Sequence, residues 1–269
     1  MTPALDLTTY PLDQPESAAY RLLRDRARAD LNRFGLFDLP GLMRAEALAR
    51  AVQQVGPLIA AQGFRHARRH NIYFRAEVPG LPADHPALQT HETVNHTVCT
   101  DQLAGTLVRE LYQWRPLAGF LADVMQLPRL YTMADPLAGV NAMAYSEGEA
   151  LNWHFDRSEF TTTLLLQAPE AGGVFEYRTD LRTEDDPNFD GVVRLVTGRD
   201  PDVECHEPQP GTLSVFRGRN TAHRVTPVRG SRSRIIAVFS YFDRPGVAFT
   251  AAERRGFYGR DGAAPPAGG

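Results

Sequence analysis

The stretch LNWHFDRSEF, residues 151–160, sets an imidazole and a carboxylate one residue apart in an otherwise apolar and aromatic run. On an extended strand, residues i and i+2 point to the same face. His154 and Asp156 would then project together while Phe155 turns away. A neutral imidazole and an ionised carboxylate on one face can fill two neighbouring positions around a metal ion. A catalytic ion needs a further protein ligand, and the best candidate is His223 in NTAHRVTPVRGSRSRIIAVFSYF, on a second extended run far downstream.

Two histidines and one carboxylate are the facial triad of non-haem iron(II) chemistry, which leaves coordination positions open for a co-substrate and oxygen. No thiolate belongs to the set, which argues against structural zinc. A dicarboxylic co-substrate that chelates iron through its keto-acid end needs a cation for its far carboxylate. Arg232 and Arg234, at the start of the apolar strand after His223, both offer a planar fork for that carboxylate. An isolated H-x-D in a strand is more often a satisfied polar pair than a metal site. The combination with His223 and the arginines carries the inference.

These residues need strands to hold them. From about residue 130 the chain breaks into short β-rich runs separated by Gly, Pro and Asp: GVNAMAYSEG, FTTTLLLQ, GGVFEYR, VVRLVTG, GTLSVFRG, AHRVTPV and RIIAVFSYF. Gly172 and Gly173 read as a turn. Earlier, ESAAYRLLRDRARADLNRFG has Ala19, Leu22, Leu23, Ala27 and Leu31 at helical spacing, with Gly35 placed to end the helix. LFDLPGLM reads as a strand and turn, and AEALARAVQQVGPLI as a second helix. DQLAGTLVRELYQWRPLAGFLADVMQL reads as one long or two short helices, with Pro116 at the break. Helices followed by a β-core predict an α+β fold, a jelly roll with N-terminal helices packed on it. The expected organisation is one domain over residues 1–260: a mostly helical N-terminal region (1–129), a jelly-roll core (130–245) and a C-terminal segment (246–260). A disordered Pro/Gly/Ala-rich tail, 261–269, would follow.

Composition excludes several alternatives. With 43% hydrophobic and 23% charged residues the chain reads as globular. A formal charge of −3 gives no general attraction to nucleic acid or anionic membranes. Cys99 and Cys205 are too few for a disulfide framework and are expected as free thiols. The first residues lack the basic-then-apolar order of a signal peptide, and no apolar run is long enough to span a membrane, so a cytoplasmic location is expected.

The pieces HFD, TLLLQAPEAGGVFEY and PGTLSVFRGRNTAHRVTPVRGSRSR resemble the iron(II)/2-oxoglutarate-dependent oxygenase superfamily, whose core is a double-stranded β-helix of cupin-like form. The wider texture, including HNIYF, LPADHP, ADPL and WHFDRSEFTTTLLLQ, is similar to the bacterial subgroup of free-amino-acid radical halogenases and related hydroxylases. The resemblance implies iron(II), 2-oxoglutarate and O2 as metal, co-substrate and oxidant, with succinate and carbon dioxide released. Those halogenases carry a small residue where the carboxylate ligand would be, opening a site for chloride. Here that place is Asp156, which implies hydroxylation of an unactivated C–H bond instead.

Secondary roles follow from the same resemblance. Tyr145 either hydrogen-bonds 2-oxoglutarate or packs, with Thr163 and Thr226 as weaker candidates. Trp153 reads as a core or cleft-wall aromatic. In ARRHNIYFRAE, Arg75 or Arg69 could bind a substrate carboxylate, against the plainer reading of a solvated basic strand. Arg157 should sit near the cleft and disfavour a cationic substrate such as lysine, while Ser240 and Tyr258 could add hydrogen bonds. His66, His85, His91, His96 and His206 read as loop or surface residues. The expected partner is a small molecule, an amino acid or a close relative of one, with oligomeric state open. Desaturation or cyclisation would use the same triad. The competing classes are a non-catalytic jelly-roll sensor, which would not need Arg232, and an oxygenase acting on a macromolecule, which a cleft roofed by helices would disfavour.

Overall fold

The computed structural model describes residues 1–262, so most of the tail expected to be disordered lies outside the described residues. Ser17 starts the first helix, α1 (Ala18–Phe34), by accepting the Tyr20 amide, and Gly35 ends it at φ 72°. Its buried stripe is Tyr20, Leu23, Ala27 and Leu31, whereas Leu22 is 74% exposed. The tyrosine, whose hydroxyl donates to Asp123, takes the core position that spacing had given to a leucine. Helix α2 (Ala45–Gln62) buries Ala47, Ala51, Val55 and Ile59. Pro116 does separate two helices, α3 (Leu107–Gln113) and α4 (Arg115–Val124). It stands in the first turn of α4, where a missing N–H leaves no helix bond unmade.

The strands, in chain order, are β1 (Leu36–Leu39), β2 (Phe64–His70), β3 (His91–Val98), β4 (Tyr131–Thr132) and β5 (Val140–Tyr145). Then come β6 (Leu151–His154), β7 (Phe160–Gln167), β8 (Ala171–Gly172), β9 (Phe175–Arg178) and β10 (Glu204–His206). The last are β11 (Leu213–Arg217), β12 (Ala222–Val225), β13 (Val228–Arg229), β14 (Arg234–Phe239) and β15 (Tyr241–Phe242). Two further α-helices, α5 (Phe189–Val196) and α6 (Ala251–Tyr258), and two short 3-10 turns, Thr2–Ala4 and Pro86–Leu88, complete the described elements.

A seven-stranded antiparallel sheet in the order β1-β11-β7-β14-β5-β3-β2 faces a four-stranded sheet, β10-β9-β12-β6, as the two walls of a jelly roll. Strand β7 shows how the large sheet divides its faces. Leu164 and Leu166 point outward into the main core under the N-terminal helices, each burial contributing about 2 kcal/mol. Thr161, Thr163 and Leu165 point inward and line the cavity between the sheets. Helix α2 lies across β3, β5 and β7 on the outer face.

Two expectations are corrected here. The sheet does not begin near residue 130: β1 forms one edge and β2 the other, with β3 beside it, so the first half supplies three of the seven large-sheet strands. Strand β2, FRHARRH, lacks the apolar alternation that marks a strand because its inner face lines a polar cavity mouth. The run VVRLVTG is also a helix rather than a strand. Asn188 caps α5 by accepting the Gly191 amide, and Val192 and Leu195, one helical turn apart, are the buried pair. Its β-branched residues hid the helical period.

Candidate metal centre

Strands β6 and β12 pair antiparallel with His154 directly opposite His223, which brings the imidazole centroids to 4.1 Å. Asp156 is not on β6, which ends at His154. It lies in the following loop, its amide donating to the Gly218 carbonyl at 3.0 Å. The carboxylate nevertheless returns to the same point: Oδ1 is 3.5 Å from His154 Nε2 and Oδ2 is 3.5 Å from His223 Nε2. One ligand atom from each residue lies within 4.8 Å of the others. This convergence fits a three-ligand site of the facial type.

The surroundings select which atoms face the centre. His154 Nδ1 contacts the Asn152 carbonyl at 2.8 Å and His223 Nδ1 contacts the Thr221 carbonyl at 3.1 Å. A carbonyl requires N–H at Nδ1, which leaves the Nε2 lone pair of each ring for a metal. Thr161 donates its hydroxyl to Asp156 Oδ2 at 2.5 Å, fixing the carboxylate plane. Burial opposes ionisation of Asp156, but the neighbouring imidazoles of His223 and His154 hold its carboxyl well below the usual range. Burial, then His223, lowers the pKa of His154. Ionised Asp and neutral His are the ligating forms.

The two arginines after His223 diverge. Arg232 is exposed, and its Nη2 donates to the Pro169 carbonyl at the surface. Arg234 opens β14 with its side chain in the cavity, is 4% exposed, and has Nη1 buried without a hydrogen-bond partner. Its guanidinium carbon lies 6.0 Å from the Tyr145 ring centroid. Burial lowers its pKa and pushes that of Tyr145 up to about 12. A buried cation without a countercharge is costly unless an anion joins it, so this end of the cavity fits a carboxylate. Thr163 also lines the cavity. Thr226 is occupied, accepting the Val174 amide.

The cavity encloses about 550 Å³. Of the residues expected near a substrate, Ser240 and Tyr258 line it, although the Tyr258 hydroxyl already donates to Asn141. Arg157 stands at the mouth with its guanidinium on Glu253 of α6. Arg69 does not face the cavity; it is on the outer face of β2, donating to the Thr90 carbonyl, and Arg68 takes the inward position. Arg75 lies in an adjoining cleft. Trp153 packs beside the Phe155 cluster and under Arg224.

Several contributors escaped sequence reasoning. His66 and His206, expected at the surface, line the cavity, as do Asn95 and Thr97. His70 is buried and bonds Thr93 through Nε2. Phe74, at φ 54°, stacks on His70 at 4.2 Å and stands edge-on to His154 at 5.8 Å. The two-residue period of His66, Arg68 and His70 was the available signal.

A family model described as Halogenase D matches residues 23–250. The chain belongs to the halogenase D family. No curated protein matches it. Among solved structures, AviO1 from Streptomyces viridochromogenes Tue57 aligns at 16% identity over 83% of this chain and 96% of that one, with a TM-score of 0.57. A 2OG-Fe(II) oxygenase family oxidoreductase from Burkholderia pseudomallei aligns at 17% identity over 83% and 92%, with a TM-score of 0.52. HygX from Streptomyces hygroscopicus, solved with nickel and 2-oxoglutarate, aligns at 14% identity over 80% and 85%, with a TM-score of 0.51. At these identities the likeness is one of fold. The fold of this halogenase D family member is thus one also found in a 2OG-Fe(II) oxygenase family oxidoreductase.

Proposed function

We propose that this chain is an iron(II)/2-oxoglutarate-dependent hydroxylase of a small molecule, an amino acid or a close derivative. The observation that carries the reading is Asp156, whose carboxylate converges with both Nε2 atoms and closes the third protein position. With oxygen, iron(II) and 2-oxoglutarate supply the means to oxidise an unactivated C–H bond, one oxygen atom entering succinate and the other the product as carbon dioxide leaves.

The chain's own residues do the rest. His154, Asp156 and His223 would hold the metal, and a three-residue ligand set would leave coordination positions for the co-substrate and oxygen. Arg234, with Tyr145 beside it, would receive the far carboxylate of 2-oxoglutarate, while Thr163, opposite Val238, lines the same cavity; Arg232 has no role in this. Since Asp156 fills the position a halide would need, hydroxylation is favoured over the chlorination that the family's name suggests. Phe74 stands against His154 and helps keep water from the reacting side.

The test is anaerobic reconstitution with iron(II) and 2-oxoglutarate, followed by oxygen, chloride and a panel of amino acids and their N-acyl derivatives. A visible charge-transfer band, then substrate-stimulated succinate with a product heavier by one oxygen, is expected. A chlorinated product would overturn the hydroxylase reading, and no band in metal-loaded protein would overturn the oxygenase reading.

A further inference from the structure

Next to the metal cavity lies a second one of about 890 Å³, sharing Arg68, Phe74, Phe155, Asp156, Arg157 and Phe257 as a common wall. Five arginines line it, Arg68, Arg75, Arg157, Arg182 and Arg219, against two carboxylates, Asp156 and Glu184. Asp156 belongs to the triad. Arg157 is neutralised by Glu253, and Arg68 stacks on Phe74 at 5.1 Å. That leaves Arg75, Arg182 and Arg219 facing Glu184, which is 80% exposed and 3.5 Å from Arg219. An exposed pair of this kind contributes little and leaves the cluster with excess positive charge.

Arg182 is built into the wall. Its guanidinium lies 3.7 Å from the Phe155 ring centroid, and Nε and Nη2 both donate to the Arg219 carbonyl. Those contacts fix the plane of the fork and leave the Nη1 donors for a ligand. Arg75 and Arg219 both act on it as like charges, a repulsion that a bound anion would relieve. Tyr73 lines the same cavity, with its ring stacked on Phe155 and its hydroxyl buried without a hydrogen-bond partner. Asn71 holds this loop in place, accepting the amides of Tyr73 and Arg75 and donating to the Arg75 carbonyl. An orphaned hydroxyl beside clustered cations makes a site for an oxyanion.

We infer that Tyr73, Arg75, Arg182 and Arg219 bind an oxyanion, a carboxylate or phosphate, at the end of the substrate remote from the oxidised carbon. That this ligand is a substrate rests on the oxygenase reading above; the oxyanion site does not. On that reading the substrate carries an anionic group at its remote end.

The test is calorimetric titration of the full chain, with and without iron(II) and 2-oxoglutarate under anaerobic conditions, using phenyl phosphate and benzoate as probes. At least one should bind the unaltered protein. Arg219→Ala should weaken it by about tenfold or more, and Tyr73→Phe, which removes only an unpartnered hydroxyl, by several-fold. The affinity for 2-oxoglutarate should stay unchanged in both. Binding of phenyl phosphate alone points to a phosphorylated substrate, and binding of benzoate to a carboxylate. Binding of neither probe, or equal binding in Arg219→Ala, overturns the inference. Arginine-dependent probe binding without any 2-oxoglutarate binding would uphold the oxyanion site and sink the oxygenase reading instead.

Discussion

At the scale of single residues, the sequence held the triad but not the assignment of its arginine. The i, i+2 spacing of His154 and Asp156 and a histidine on a later strand were legible because strand geometry is regular. Arg232 and Arg234 offered the same fork, and only the start of β14 decides that the second turns into the cavity. Replacing Arg234 with Ala should raise the Kd for 2-oxoglutarate by about a hundredfold or more, since a buried charged pair would be broken. Arg232→Ala should leave it within about twofold, its cation being solvated; equilibrium titration of both variants checks this, and the reverse pattern would refute the assignment. Asp156→Ala should lose both tight iron(II) binding and hydroxylation, and retained turnover would remove Asp156 from the ligand set.

The elements explain how such side chains are held to a fraction of an ångström. Gly218, at the end of β11, passes so close to Asp156 that a Cβ there would meet Oδ2 at 2.4 Å. Gly218→Ala should therefore displace the carboxylate and weaken iron(II) binding while the secondary structure persists; metal titration alongside circular dichroism measures both, and unchanged metal affinity would contradict the contact. Helix α6 is fastened by a capping box between Thr250 and Glu253, and Glu253 also holds Arg157. Thr250→Ala should cost about 1 kcal/mol of stability in chemical denaturation. The β-rich second half was readable because most of its strands are short β-rich runs set off by Gly, Pro and Asp. Strand β3 was not, and β2 was legible only in part, as a basic strand, for their inward residues, among them His66, Arg68, Thr93 and Asn95, are polar where a cavity replaces a core. A site that needs polar walls erases the pattern by which strands are recognised.

Across the whole molecule, burial tunes groups that composition alone cannot rank. His70 has its pKa lowered to about 4, mainly by burial. The unfolded chain would bind a proton at this residue near the ordinary value of 6.5, so this group's contribution to stability is full above that value and is lost as the pH falls towards 4. Denaturation midpoints between pH 7 and pH 4.5 should fall less steeply for His70→Gln than for the unaltered protein, and parallel curves would refute the role. The two cysteines should differ likewise. Burial pushes the Cys99 thiol up to about 12, while Cys205 is exposed, so iodoacetamide at pH 8 should label Cys205 alone until the chain is unfolded. No helix among the described residues is long and apolar enough to cross a membrane. The strand β2 that ends the large sheet has one more effect. If two molecules tried to add strand to strand along that edge about Ala67, Arg65 of each would meet Arg69 of the other. Like charges directly opposed make that pairing unfavourable, so the basic edge guards the concentrated protein against fibre-like self-association.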